Sequence, residues 1–183
     1  MPPVFTIGHS TRRIEELLAL LSEHGIRVLV DVRRYPASRR HPQFGREALA
    51  ASLAAAGIEY VHEPDLGGRR AARPGSQHTA WRVEAFRGYA DHMESAEFAA
   101  ALERLMRRAA GTPTAILCAE AVPWRCHRRL ISDALVARGV EVLHILGPGH
   151  AGPHELDANA RVLPGGRLLY AGPAGDQPSL FRE

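Results

Sequence analysis

The run Cys118-Ala119-Glu120-Ala121-Val122-Pro123-Trp124-Arg125-Cys126-His127-Arg128-Arg129 gathers two thiols, a carboxylate, an imidazole and several guanidinium groups in one short segment. It leads from an apolar stretch into a helix. A thiol near a helix start feels the positive end of the backbone dipole, and Arg125 and Arg128 add to that field, so Cys126 is a candidate thiolate. The free amides there also bind anions. Cys118 ends the apolar stretch and reads as a small core hydrophobe unless Cys126 is its metal or redox partner. The spacing is not that of a phosphatase loop: six residues separate Cys118 from Arg125, and Glu120 between them would repel phosphate. His127 reads as a ligand or as a cap. Sulfur and imidazole donors at His9, Cys118, Cys126 and His127 would suit zinc or iron as an alternative, although the seven residues between the cysteines require the loop to fold back.

Other residues with chemistry fall at the ends of apolar runs: Gly8-His9-Ser10, Asp31-Val32-Arg33, His62-Glu63 and Gly147-Pro148-Gly149-His150. Asp31 and Glu120, a carboxylate from each of two strand ends, would suit proton transfer or stabilisation of an oxocarbenium-like sugar cation, which suggests N-glycosidic chemistry. Asp31 could instead pair with Arg33. His9 and Ser10 can reach a ligand from the first turn. Arg33 and Arg128 could grip a phosphate or carboxylate with both arms, or pair with Asp31, Glu63 or Glu120. Tyr35 and Trp124 could stack on a base, and Trp81 reads as a packing aromatic or a third platform.

These positions gain meaning from the elements that carry them. Val4–Ile7 reads as a strand, and the spacing of Ile14, Leu17, Leu18 and Leu21 predicts a helix capped by Ser10 or Thr11 and stopped at Gly25. Ile26–Val32 is apolar without alternation, as in a parallel strand covered on both faces. Arg46–Ala56 reads as a helix, Ile58–Val61 as a strand, and His62–His78 as a loop that could close over a site. Trp81–Met93 and Ala96–Ala109 look helical, Pro113–Leu117 is a fourth strand, Cys126–Arg138 a helix and Val140–Leu146 a fifth strand. Arg161-Val162-Leu163 and Arg167-Leu168-Leu169-Tyr170 flank Pro164-Gly165-Gly166 as a short hairpin. The expectation is a single α/β domain with an open, mostly parallel sheet of about five strands and helices on both faces. Residues 1–146 would form its core, with 147–183 a Gly/Pro/His-rich extension packed on it. Ligands of such sheets bind beyond the carboxyl ends of the strands, where the polar residues cluster.

At 183 residues the chain suits one domain. No apolar run would span a membrane, and Met-Pro-Pro-Val-Phe-Thr lacks the pattern of a signal peptide, so a cytoplasmic protein without membrane partners is expected. In a reducing compartment the two cysteines would stay as thiols. All the basic residues are arginine, which excludes a Schiff-base or P-loop lysine. They cluster at 33–40, 69–73 and 125–129. A net charge of +3 can steer anions but falls short of a dedicated duplex binder.

Thr6-Ile7-Gly8-His9-Ser10, Asp31-Val32-Arg33 with Pro36 and Ser38, Leu66-Gly67-Gly68, and Cys118-Ala119-Glu120 followed by Cys126-His127-Arg128 resemble the domain of unknown function 488 family. The stretch around His144 and Pro153-His154 is similar to that family's C-terminal segment. The resemblance implies a compact bacterial or archaeal α/β protein and supplies no reaction. The residues suggest an enzyme, a hydrolase or transferase of N-glycosidic or thiol-dependent chemistry, acting on an anionic, nucleotide-like or nucleic-acid-derived substrate without a cofactor. Asp31, Glu120, Cys126 and His9 would be catalytic; Ser10, Arg33, Tyr35, Trp124, His127 and Arg128 would bind substrate. The alternatives are a zinc- or iron-binding protein and a non-catalytic module that binds DNA, RNA or a partner.

Overall fold

Alternation along the strands sets the layers. In a computed structural model, which describes residues 1–172, Val28, Val30, Val32, Ile116 and Cys118 point to one side of a sheet, and Leu29, Ala115, Leu117, Ile7 and Ile145 to the other. The first side packs under α3 (Glu84–His92), α4 (Ala96–Gly111) and α5 (Arg128–Val136), and the second under α1 (Ile14–Glu23) and α2 (Arg46–Ala55). Strands β1 (Val4–Gly8), β2 (Val28–Asp31), β3 (Glu59–His62), β4 (Thr114–Cys118) and β5 (Val142–Gly147) run parallel. The fold is therefore the expected α/β sheet with helices on both faces.

A sixth strand, β6 (His150–Pro153), joins the sheet antiparallel to β5, because Gly149 at φ +63° turns the extension back on itself. The order is β3-β2-β4-β1-β5-β6. The hairpin at Pro164–Gly166 forms as expected between β7 (Ala160–Leu163) and β8 (Arg167–Tyr170). Residues 173–183 of the extension lie outside the described residues. No described helix is long and apolar enough to cross a membrane.

Helix starts differ from the sequence reading. The N-cap of α1 is Arg13, whose N–H is held by the Glu16 carboxylate at 2.8 Å, whereas Ser10 adopts φ +48° and donates its N–H to the Ala119 carbonyl. α3 begins at Glu84 because Trp81 is drawn into the core against Phe86 and Tyr170. α5 begins at Arg128, so Cys126 lies just before the helix, at the end of a single 3-10 turn, Pro123–Arg125.

The topology makes the crevice. Leaving β1 and β2, the chain turns to the α1/α2 face; leaving β4, which lies between them, it turns to the α5 face. Neighbouring strand ends that part to opposite faces open a cleft between them.

Candidate active site

Beyond the ends of β1, β2 and β4 lies a cavity of about 800 Å3. Arg34, Arg39, Arg40, Arg69 and Arg125 line it, and none makes an ion pair among the described residues. Glu120 is the only carboxylate among its lining residues. The wall therefore carries a strong positive excess that concentrates anions. Ser10 and the 62% exposed Tyr35 also face it, with the Arg34 guanidinium 5.5 Å from the Tyr35 ring centre. The loop after β4 closes tightly on β1: a Cβ at Gly8 would lie 1.8 Å from the Glu120 carbonyl oxygen.

At the foot of the cavity two sulfurs meet one imidazole nitrogen. Cys118 Sγ lies 3.9 Å and Cys126 Sγ 3.7 Å from His127 Nδ1. His127 donates its Nε2–H to the Val32 carbonyl at 3.0 Å, which turns Nδ1 toward the sulfurs. Gly68 seats the ring, since a Cβ there would come within 2.9 Å of Nδ1. Burial pushes the Cys126 thiol up, but a hydrogen bond from Cys118, the adjoining His127 ring and the Arg128 charge outweigh it and hold Cys126 well below the ordinary thiol range. Cys118 moves the opposite way, pushed up by its bond to Cys126 and by burial. The two shifts oppose each other, so Cys126 is the sulfur that ionises first.

Arg128 does not reach into the cavity as a phosphate grip. Its guanidinium is 1% exposed, donating from Nη1 to Thr6 Oγ1 at 3.2 Å and from Nη2 to the Glu120 carbonyl at 2.5 Å, while Nε has no partner among the described residues. No carboxylate pairs with it among the described residues. A buried cation without a carboxylate is costly, and here its charge acts on the Cys126 sulfur, to which its own backbone N–H also points at 3.5 Å.

Asp31 lies behind the wall, whereas His9 lines the cavity with both ring nitrogens engaged. Asp31 is fully buried and accepts from Arg33 Nε and Nη2 at 2.8 and 2.6 Å, from the Arg33 N–H, and from the Tyr60 hydroxyl at 2.8 Å. Its carboxylate is fully engaged and does not line the cavity, so Glu120 stands there without the second carboxylate expected of N-glycosidic chemistry. Arg33 reaches the wall with its donors already committed to Asp31, the Phe44 carbonyl and His9 Nε2. Burial lowers the His9 pKa to about 4, aided by the Arg33 charge and opposed by the bond to the Ser10 carbonyl. Neutral His9 donates from Nδ1 to Ser10 and accepts at Nε2 from Arg33, with Phe44 stacked at 4.3 Å. It orients Arg33 and stands apart from the sulfurs.

Trp124 faces another cavity, of about 310 Å3, beside Pro123, Arg129, His144 and His154. Behind it runs a chain of side chains that sequence reasoning missed. His144 Nδ1 meets Thr6 Oγ1 at 2.7 Å, His144 Nε2 meets His154 Nδ1 at 2.9 Å, and His154 Nε2 meets Asp133 at 2.8 Å, where Tyr170 also donates. Each bond has one donor when every hydrogen points from Arg128 through Thr6 toward Asp133. Burial, His154 and Arg128 push His144 down to about 3.

Cys118, Cys126 and His127 place three donor atoms within 4.8 Å of one another. Two sulfurs and an imidazole suit zinc or iron, and the Nε2 bond to Val32 is the outer support that a ligating histidine takes. No curated protein and no solved structure matches the chain. A family model, "Domain of unknown function DUF488", matches residues 13–135, from the start of α1 into α5, and so includes Asp31, Arg33 and the whole Cys118–Arg128 motif. With the match covering more than half of the sequence, the chain belongs to this family, described as a domain of unknown function.

Proposed function

We propose that the protein is an enzyme acting on an anionic, nucleotide-like or nucleic-acid-derived substrate, with Cys126 as its nucleophile. The observation that carries this is the placement of Cys126 beside His127 and a buried Arg128 that pairs with no carboxylate among the described residues, at the foot of a cavity walled by five arginines that make no ion pair among them. The outer arginines hold the anion and Tyr35 offers a face for a base. His127 Nδ1 takes the Cys126 thiol proton, and the thiolate attacks an electrophilic carbon of the substrate so that a C–S bond forms as the bond to the leaving group breaks. The leaving group departs with the proton from His127, with Glu120 the carboxylate beside it. Water as acceptor gives a hydrolase, a second substrate a transferase.

The test is the rate of Cys126 alkylation by iodoacetamide across pH, on chelator-treated protein, with and without a mononucleotide or a short single DNA strand. A rate that is flat from about pH 6 to 9 and falls when the anion is added supports the reading; a rate rising around the ordinary thiol pKa of about 8.5 removes the nucleophile. The three converging donors favour one further reading, a zinc or iron centre. Stoichiometric metal in protein purified without chelator, lost in Cys118→Ser, would replace the nucleophile with that centre.

A further inference from the structure

The chain contains two cysteines, and the fold brings them from separate elements, the end of β4 and the segment before α5, to the same nitrogen of His127. Both are free thiols and both line the large cavity. Their surroundings differ. Cys126 Sγ receives the Arg128 N–H at 3.5 Å and lies 3.7 Å from His127 Nδ1, whereas Cys118 ends a strand and lies 3.9 Å from that nitrogen. The segment joining them holds only the short Pro123–Arg125 turn; its Ala119 and Glu120 carbonyls are tied to the Ser10 N–H and to Arg128, while Ala121, Trp124 and Arg125 are exposed, so the approach of the sulfurs falls on the stretch from Ala121 to Cys126.

We propose that Cys118 and Cys126 are a redox-active dithiol that reduces a small hydroperoxide and closes to a disulfide. This rests on the reading of Cys126 as the nucleophile, and adds a second role for the same sulfur, whose neighbour Cys118 lies with it and His127 Nδ1 in a group of atoms within 4.8 Å of one another. The Cys126 sulfur attacks the terminal peroxide oxygen, forming an S–O bond as the O–O bond breaks. The leaving alkoxide takes a proton from water and departs as an alcohol, while sulfur, two electrons poorer, becomes a sulfenic acid. The Cys118 sulfur then attacks Cys126, the S–S bond forms, and the hydroxyl leaves as water with the Cys118 proton. A thiol reductant reopens the pair. The outer arginines would favour a hydroperoxide bearing an anionic group.

The experiment treats native protein with about one equivalent of hydrogen peroxide, quenches with catalase, then unfolds and alkylates it for intact-mass measurement and peptide mapping. The expected result is loss of both alkylatable thiols and of about 2 Da, reversed by dithiothreitol. In Cys118→Ser, Cys126 is expected to be trapped by dimedone and to advance to a sulfinic acid, about 32 Da heavier; in Cys126→Ser, Cys118 stays reduced. Both thiols remaining alkylatable in the wild-type protein would overturn the proposal, as would equal oxidation of the two single variants. The wild-type arm stands even if a variant fails to fold. The two readings fail separately: a protein that alkylates at Cys126 with a flat pH profile yet forms no disulfide keeps the nucleophile and loses the redox pair.

Discussion

At the residue scale, charge is divided between groups that act on the protein and groups that face outward. The sequence motif shows Arg125 and Arg128 as equals, but one lines the cavity and the other is buried against Thr6 and the Glu120 carbonyl. Their substitutions should separate. Arg128→Met is expected to move the pH profile of Cys126 alkylation upward by about one unit or more, whereas Arg125→Ala leaves the profile in place and weakens protection by a DNA strand at low salt. Asp31 shows why residue type misleads. A carboxylate at a strand end reads as a base, yet its four acceptor positions are taken, and only the partners reveal that. Asp31→Asn should strand the Arg33 charge and cost about 3–5 kcal/mol in a denaturant titration. Cys126 and His127, by contrast, were legible because thiol, imidazole and arginine stand adjacent in the chain.

At the scale of elements, the strand ends aligned as their polar residues implied. Gly8 stands opposite Cys118, and Asp31 stands level with Leu117 and His62. Apolar runs bounded by glycines carry that information locally. The chain from Thr6 through His144 and His154 to Asp133 carried none, because Thr6 and His144 are 138 residues apart and each histidine alone resembles any buried histidine. Tight closure of the loop after β4 on β1 has a direct test. Gly8→Ala drives a methyl into the Glu120 carbonyl, so the loop must shift; we expect a loss of about 1–3 kcal/mol in urea unfolding together with a fall in Cys126 reactivity. Unchanged reactivity in a folded variant would show that this contact does not position the site.

At the scale of the molecule, the buried histidines make the fold sensitive to acid. His9 and His144 titrate near 4 and 3 in the folded protein, against 6.5 when exposed, so the unfolded chain takes up protons first as pH falls. Stability should therefore decline between about pH 6.5 and 4, and His144→Gln should flatten that slope in urea midpoints measured across the window. The strand order has a different consequence, one of timing. β1 pairs only with β4 and β5, and β2 reaches β1 only through β4. As the chain leaves the ribosome, its first strand waits for a partner until residues 114–118 emerge, and the sheet then closes by insertion of its central strand. Cys118 is the last residue of that strand. The continuous sheet is thus born with the first of the two thiols, Cys126 and His127 following from the segment before α5, and a nascent chain cut short before Thr114 can possess neither sheet nor site.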